Sequence, residues 1–383
     1  MTLKISTIQL ILMGLFGVEL LQKEILLFVL LFGVVVLTSK NKRLKITHEF
    51  IVLTICFTAS YVTSLLKGNA TISPFYVIRT WLGPIMAYMI GYFFVNNKKN
   101  LLIKMIKVLA ISYLIHGMLN LISTQTLSVS SRSVHNFWTG GITTATLQST
   151  YFVMAVAVAS YWLMFEIVKY KILGLLIIGI NLWNSMATAS RTPLYLTAII
   201  LVIGYMMRQY MSRNKKSFVH KTIKLLIGLI CIVSLLVIVY NNDLFNVKTT
   251  FENSFLGVRM SGIENEDALS RPELWGETIC NLIQYPFGYK ADHYTHNMWL
   301  DLGRDVGIVP LILLALYSIL VMKNLLKFII KQGKEHKECL IVLFVYIGLM
   351  ISFMLEPILQ GVPFLFITFC MINGGVASII KSC

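Results

Sequence analysis

Runs of about 20 apolar residues, the length that crosses a bilayer as one helix, recur along the whole chain. On a window of about 19 residues we identify about twelve such runs. They lie near 5–21, 24–39, 48–66, 74–95, 103–123, 146–168, 172–189, 193–207, 222–240, 304–322, 339–355 and 362–380. Two pairs of runs have very short connections, so the sequence predicts about 10–12 transmembrane helices. No repeat or linker divides the chain, and residues 1–383 are predicted to form a single integral membrane domain.

The composition agrees with an all-α, polytopic integral membrane protein. Hydrophobic residues make up 57% of the chain and charged residues only 13%, whereas about a quarter of the residues of soluble domains are charged. The 6 cysteines are scattered and form no CxxC pair, so neither a disulfide framework nor a cysteine metal site is expected. A soluble globular fold is excluded.

The net charge of +16 predicts the topology. Short basic clusters follow the even-numbered runs: Lys40, Lys42, Arg43 and Lys45; Lys98, Lys99 and Lys104; Lys169 and Lys171; Arg208, Arg213, Lys215, Lys216 and Lys221; Lys323, Lys327, Lys331, Lys334 and Lys337. By the positive-inside rule both termini are cytoplasmic, and the loop 124–145, Arg191 and the large loop 241–303 are external. Because the basic residues form separate loops rather than one face, the expected partner is the lipid bilayer and not a nucleic acid.

The large external loop ends in a polar segment with several chemically capable side chains. Apolar residues recur at helical spacing between Leu274 and Ile283, which predicts an amphipathic helix on the membrane surface or over a cavity. Ser270 and Glu273 match a capping box at its start. The pair Tyr285-Pro286 predicts the end of this helix, and Gly288 predicts a turn after it.

Three motifs then follow in order: Arg271 with Trp275, the turn Tyr285-Pro286-Phe287-Gly288, and His296-Asn297-Met298-Trp299-Leu300 followed by Gly307. This order resembles the signature of the O-antigen ligase and polysaccharide polymerase superfamily, which has an arginine, an hPxG turn and an HNxxLxxxxxxG segment in a large external loop. Ser190-Arg191 resembles the second characteristic arginine of that family. The local resemblance covers residues 270–310, and the arrangement of spans extends it to the whole chain.

The resemblance implies a GT-C-like architecture in a bacterial plasma membrane. It also implies an inverting glycosyltransferase that uses no metal and no cofactor. The donor would be a polyprenyl-pyrophosphate-linked oligosaccharide, and the acceptor a sugar hydroxyl. A flippase and a chain-length regulator are further partners implied by the family alone.

The charges that develop in this glycosyl transfer indicate which residue types can catalyse it. Negative charge grows on the pyrophosphate as the glycosidic bond breaks, and fixed cations must stabilise it. Arginine binds phosphate oxygens bidentately and stays charged, so we predict that Arg271 and Arg191 contact the pyrophosphate. Histidine titrates in the right range for a general base, which is the role predicted for His296. The acidic cluster Glu264, Glu266 and Asp267 is its rival for that role.

Substrate binding has five weaker candidates. Arg79 lies inside the fourth run, where an arginine is costly and a functional candidate, but it could equally reach the interface and be structural. Arg132 and His135 lie near Trp138 in another outer loop, where sugar binding and an interfacial aromatic belt are both open explanations. Trp275 and Asn297, beside the catalytic candidates, complete the predicted substrate-binding set.

Two further clusters in the loop have less direct chemistry. His293 and His296 with Asp292 have metal-like spacing, but no convincing further ligand follows, so we expect no metal site. Asp301, Arg304 and Asp305 are predicted to form an ion-paired collar with a mainly structural role.

Three functions remain open at this point. The first is a polymerase that moves a growing lipid-linked glycan onto the next lipid-linked repeat unit, and the second is a ligase that moves a finished glycan to another acceptor. The third, a transporter of lipid-linked sugar, should show inverted repeats and midplane polar residues, whereas polar groups here concentrate in outer loops. Abundant lysine and isoleucine suggest a low-GC bacterium with a capsule or exopolysaccharide, which favours the polymerase.

Overall fold

The computed structural model describes residues 4–39, 43–68, 73–126, 133–211, 234, 238, 240–243, 247–252, 271–290, 293–333 and 336–380. Most of the ninth predicted span, Arg132, the capping residue Ser270 and the acidic cluster 264–267 lie outside these residues. The helices before the large loop are α1 (Ile5–Gly17), α2 (Glu24–Thr38), α3 (His48–Leu66), α4 (Pro74–Val77), α5 (Gly83–Val95), α6 (Lys99–Thr126), α7 (Ala145–Thr150), α8 (Val153–Phe165), α9 (Val168–Ala187) and α10 (Thr192–Met211).

The helices of the large loop and the C-terminal part are α11 (Val247–Glu252), α12 (Arg271–Gln284), α13 (Met298–Val306), α14 (Ile308–Phe328), α15 (Leu340–Leu355), α16 (Ile358–Gly361) and α17 (Pro363–Ile380). The described strands are β1 (Ser133–His135) and β2 (Ile142–Thr144), which form an antiparallel hairpin. Helices dominate the described residues, as the predicted all-α fold requires.

Eight helical segments of the described residues are long and apolar enough to cross a membrane. They are His48–Leu66, Pro74–Val95, Lys99–Gln125, Ala145–Phe165, Val168–Ala187, Ile308–Gly333, Lys337–Leu355 and Pro363–Ile380. Each corresponds to one of the predicted runs. The shorter helices α1 and α2 match the first two runs, and α10 matches the eighth. The protein is therefore an all-α, polytopic membrane protein.

Helix α17 lies at the centre of the bundle, and its residues from Pro363 to Ile379 are all buried. Its closest neighbour is α5, where a Cβ atom added at Gly91 would collide with the backbone of α17. A Cβ atom at Gly374 would collide with the backbone of α5 in the same way. The two helices thus touch through small residues, as helices in membranes commonly do.

One end of the bundle carries the described parts of the segments predicted to be external, and we call it the loop face. It is defined by the helix ends at Leu66, Thr126, Ala187 and Leu355, the β1–β2 hairpin, and residues 271–307. Direct contacts connect these parts. Ser149 Oγ donates to Ser190 Oγ at 3.0 Å, and Lys67 Nζ donates to the carbonyl of Phe287 at 3.1 Å.

The amphipathic helix of the large loop is confirmed as α12, which begins at Arg271 and ends at Gln284. Only part of its apolar side is buried. Thr278 and Leu282 pack inward, whereas Ile279 is 52% exposed and Ile283 is 73% exposed. The outward isoleucines are what a helix lying on a membrane surface would present to lipid.

Candidate functional site

A buried carboxylate organises the loop face. Glu356 follows the last residue of α15 and is fully buried. Its Oε1 accepts a hydrogen bond from Thr192 Oγ1 at 3.1 Å and lies 3.8 Å from a guanidinium nitrogen of Arg271. Its Oε2 lies 3.8 Å from His296 Nδ1. Two of the three predicted catalytic residues, taken from different motifs, therefore face one carboxylate.

The third, Arg191, immediately precedes the threonine that binds this carboxylate. The tight connection before it is held by Ser185 Oγ, which donates to the Ser190 carbonyl, and by Ala189, whose φ is +50°. Arg191 is half-buried. Within the described part of the chain its guanidinium has no ion pair or hydrogen bond, which leaves it available to an anion at the loop face.

The His296 loop is held by a second buried carboxylate. Asp301 accepts the amide of Thr295 at 2.8 Å and the amide of Asn297 at 3.2 Å. These bonds flank His296, whose φ of +55° is uncommon for a residue other than glycine. Burial raises the pKa of Asp301, although the two amides and Arg304, 3.4 Å away, oppose the shift. Local geometry thus fixes the backbone that carries the histidine.

The predicted ion-paired collar of Asp301, Arg304 and Asp305 is confirmed. Besides its ion pair with Asp301, the Arg304 guanidinium donates to Asp305 Oδ1 at 2.7 Å and to the carbonyl of His293 at 2.6 Å. Asp305 Oδ2 accepts from Gln360 Nε2 at 2.8 Å. The collar therefore joins the histidine loop to α16, which lies just after Glu356.

The Pro286–Gly288 turn packs against the last glycine of the third motif. The amide of Ile308 donates to the Pro286 carbonyl at 2.9 Å. Gly288 has φ +87° and Gly307 has φ +103°, a region that favours glycine. A Cβ atom at Gly288 would lie 2.6 Å from the Arg304 carbonyl. The two motifs of the resemblance thus form one packed unit.

Trp275 and Asn297, both predicted to bind substrate, hold this unit together. Trp275 Nε1 donates to the Thr295 carbonyl at 2.9 Å, which ties α12 to the histidine loop. Asn297 Oδ1 accepts from the amides of Trp299 and Leu300, each at 3.2 Å, and caps α13. A contact of either side chain with substrate stays a prediction.

His135 lies in a different part of the loop face. Its Nδ1 bonds to the carbonyl of Gly140 at 3.0 Å, within the β1–β2 hairpin, where Gly140 has a φ of +67°. The amide of Phe137 donates to Asn120 Oδ1 at 2.9 Å and seats the hairpin on α6. No contact described for His135 reaches Glu356, Arg271 or His296.

Beside the collar lies a cavity of about 810 Å³, which we call the cationic cavity. It is lined by Lys67, Arg79 and Lys290 together with apolar side chains such as Phe57 and Phe366. Arg79 lies on a π-helical turn, Ile78–Leu82, where its side chain is exposed on the cavity wall. A contact of Arg79 with substrate stays a prediction.

Three residues of this region, Glu356, Thr192 and Lys67, were missed by the sequence reasoning. Glu356 does have a sequence signal, because an ionisable residue that ends an apolar run is costly and is a functional candidate. The carboxylates that the sequence singled out lie instead at residues 264–267, as rivals of His296 for the role of base. Among the described residues, no three histidine, cysteine or carboxylate side chains gather as a metal site. The metal-independent mechanism stays a prediction.

A scan against protein-family models and a search of curated proteins found no match to this chain. The functional interpretation therefore depends on the motif residues and on their arrangement around Glu356. That arrangement places Arg271 and His296 beside one buried carboxylate, with the cationic cavity at the same end of the membrane bundle.

Proposed function

We propose that this protein is a glycosyltransferase of the membrane that polymerises a polysaccharide of the capsule, exopolysaccharide or O-antigen kind. The donor is a polyprenyl-pyrophosphate-linked glycan and the acceptor is a lipid-linked repeat unit. The observation that carries the proposal is the convergence of Arg271 and His296 on Glu356, each at 3.8 Å. In this proposal the fold is GT-C-like, the loop face is external to a bacterial plasma membrane, and both termini are cytoplasmic.

The proposed reaction forms one bond and breaks one. An acceptor hydroxyl oxygen attacks the anomeric carbon of the donor from the side opposite the pyrophosphate, which inverts that carbon. The bond from this carbon to the pyrophosphate oxygen breaks, and its electron pair leaves with the polyprenyl pyrophosphate. The hydroxyl proton goes to His296, and no metal takes part.

Arg271 and Arg191 supply the positive charge for the leaving group. The 3.8 Å separation of Arg271 from Glu356 is longer than a charge-assisted hydrogen bond of about 2.7–2.9 Å. Its side chain is 35% exposed, so its donors can turn to a phosphate. Preorganised donors of this kind stabilise charge that develops in the transition state.

The cationic cavity supports a lipid-linked substrate. Its volume of about 810 Å³ lies in the range of small-molecule sites. A polyprenyl phosphate has an anionic head and an apolar tail, and the cavity offers Arg79 and Lys290 to the first and Phe57 and Phe366 to the second.

The test uses purified protein in nanodiscs with a polyprenyl-pyrophosphate-linked repeat unit and EDTA, and resolves the products on a gel. We expect a ladder of polymer from the wild-type protein. Arg271→Ala and His296→Ala should each reduce it by at least about 100-fold, since each removes transition-state stabilisation or the general base.

Two substitutions provide matched controls. Arg208→Ala removes an exposed arginine at the far end of α10, and His293→Ala removes an exposed histidine of the same loop. Both should keep the ladder. Transfer of a finished glycan to a different acceptor without a ladder would identify a ligase, and movement of the lipid-linked sugar without transfer would identify a transporter.

A further inference from the structure

Building on the proposed transferase function, we propose that Glu356 is the positioning residue of His296. Its carboxylate takes the hydrogen bond of the imidazole Nδ1–H. This leaves Nε2 free to accept the proton of the acceptor hydroxyl. Glu356 lies outside the three motifs and outside the large loop, on the segment that connects α15 to α16.

Two buried polar atoms without partners point to this role. Within the described part of the chain, neither Glu356 Oε2 nor His296 Nδ1 has a hydrogen-bond partner. They lie 3.8 Å apart. A shift of about 1 Å would bring them to hydrogen-bond distance, and leaving both atoms unpaired is unfavourable.

The carboxylate is already oriented for this pairing. Thr192 donates to Oε1 at 3.1 Å, and Arg271 approaches the same oxygen. Oε2 is therefore the oxygen that remains for the histidine. On the other side, the φ of +55° at His296 and the two amides bound by Asp301 fix the direction from which the ring arrives.

This arrangement determines which ring nitrogen can act as the base. A hydrogen bond from Nδ1–H to a carboxylate holds the imidazole in the tautomer whose Nε2 has a free lone pair. When Nε2 takes the hydroxyl proton, the imidazolium forms beside a negative charge that stabilises it. Glu356 then acts through His296, and its own atoms do not touch the reacting carbon.

The charged groups near His296 that the described residues supply can be named. They are Arg271 of α12, Asp301 and Arg304 of α13, and Arg191, which directly precedes α10. Asp301 accepts backbone amides with both oxygens and pairs with Arg304. Glu356 is thus the carboxylate whose unpaired oxygen faces the ring among the described residues.

The first test does not depend on activity. Nitrogen NMR of protein labelled with ¹⁵N-histidine, in nanodiscs, shows which ring nitrogen of a neutral histidine carries the proton. His296 should carry it on Nδ1 in the wild-type protein and should lose this preference in Glu356→Ala, because the variant has no acceptor for the Nδ1–H. The spectrum of His293 in the same loop should be the same in both proteins. An unchanged His296 tautomer in folded Glu356→Ala would overturn the proposal.

The second test is a double-mutant cycle on polymer synthesis. Glu356→Gln should lower kcat by about 100-fold, near the lower end of a general-base contribution, and leave the donor KM unchanged. Added to His296→Ala, it should cause little further loss, because the base is already gone. A full additional loss would mean that Glu356 acts independently of His296. If the wild-type protein makes no ladder, the proposed function fails, and the tautomer of His296 still decides the role of Glu356.

Discussion

Two buried glutamates, Glu356 and Glu19, have similar surroundings but different access. Glu356 Oε2 lies 3.8 Å from His296 Nδ1, and Glu19 Oε2 lies 3.6 Å from His116 Nε2. Glu19 also accepts hydrogen bonds from the hydroxyl of Tyr151 at 3.3 and 3.4 Å. By composition alone, either cluster could be taken for an acid–base site.

The difference lies in the partners. His116 is fully buried, its Nδ1 bonds to the Val18 carbonyl at 2.8 Å, and its ring centroid lies 4.4 Å from that of Tyr151. The side chains of His296 and Arg271 are each 35% exposed. A carboxylate–histidine pair therefore suggests a site only where its partners can be reached by a substrate, and we interpret the Glu19 cluster as structural.

The largest effect should come from the exposed cluster. Arg271→Lys keeps the charge but removes the planar fork that binds two phosphate oxygens. Losing one charge-assisted hydrogen bond costs about 1.5–3 kcal/mol, so polymer synthesis should fall by about 10- to 100-fold. Gel-resolved product formation with purified protein measures this, and Arg208→Lys serves as the control. Full activity in Arg271→Lys would contradict the claim that the Glu356 cluster, unlike the Glu19 cluster, takes part in the reaction.

The features of the exposed cluster that can be predicted from the sequence are those formed by residues close together in the chain. The helical spacing, the glycine and the charged residues of these motifs are contained in a few consecutive residues, and they correctly predict α12, the turn at Gly288 and the collar around Arg304. Glu356 could not be placed in this way, because its meeting with Arg271 and Thr192 depends on how distant helices pack. The β1–β2 hairpin has strands of only three residues, too short for a periodic signal.

A smaller effect is expected in the enclosed cluster. His116→Phe keeps the ring volume but removes the bond to the Val18 carbonyl, which still accepts Trp138 Nε1 at 3.0 Å. The protein should lose about 1–2 kcal/mol of unfolding free energy, with synthesis per folded molecule unchanged. Thermal denaturation in detergent and the gel assay measure the two quantities. A large loss of synthesis without a loss of stability would contradict the structural interpretation.

The smallest effect should follow Glu19→Gln. Glutamine can still accept the hydrogen bond of Tyr151, and the substitution removes an ionisable group from a site that is only 9% exposed. Burying a neutral amide costs less than burying a charge, and the hydrogen bond of Tyr151 is kept, so the unfolding free energy should change by less than about 1 kcal/mol. The matched substitution Glu356→Gln should abolish most of the synthesis, whereas Glu19→Gln should leave it intact. Equal losses in the two variants would show that access to substrate does not distinguish these glutamates, and the argument for a site at Glu356 would then fail.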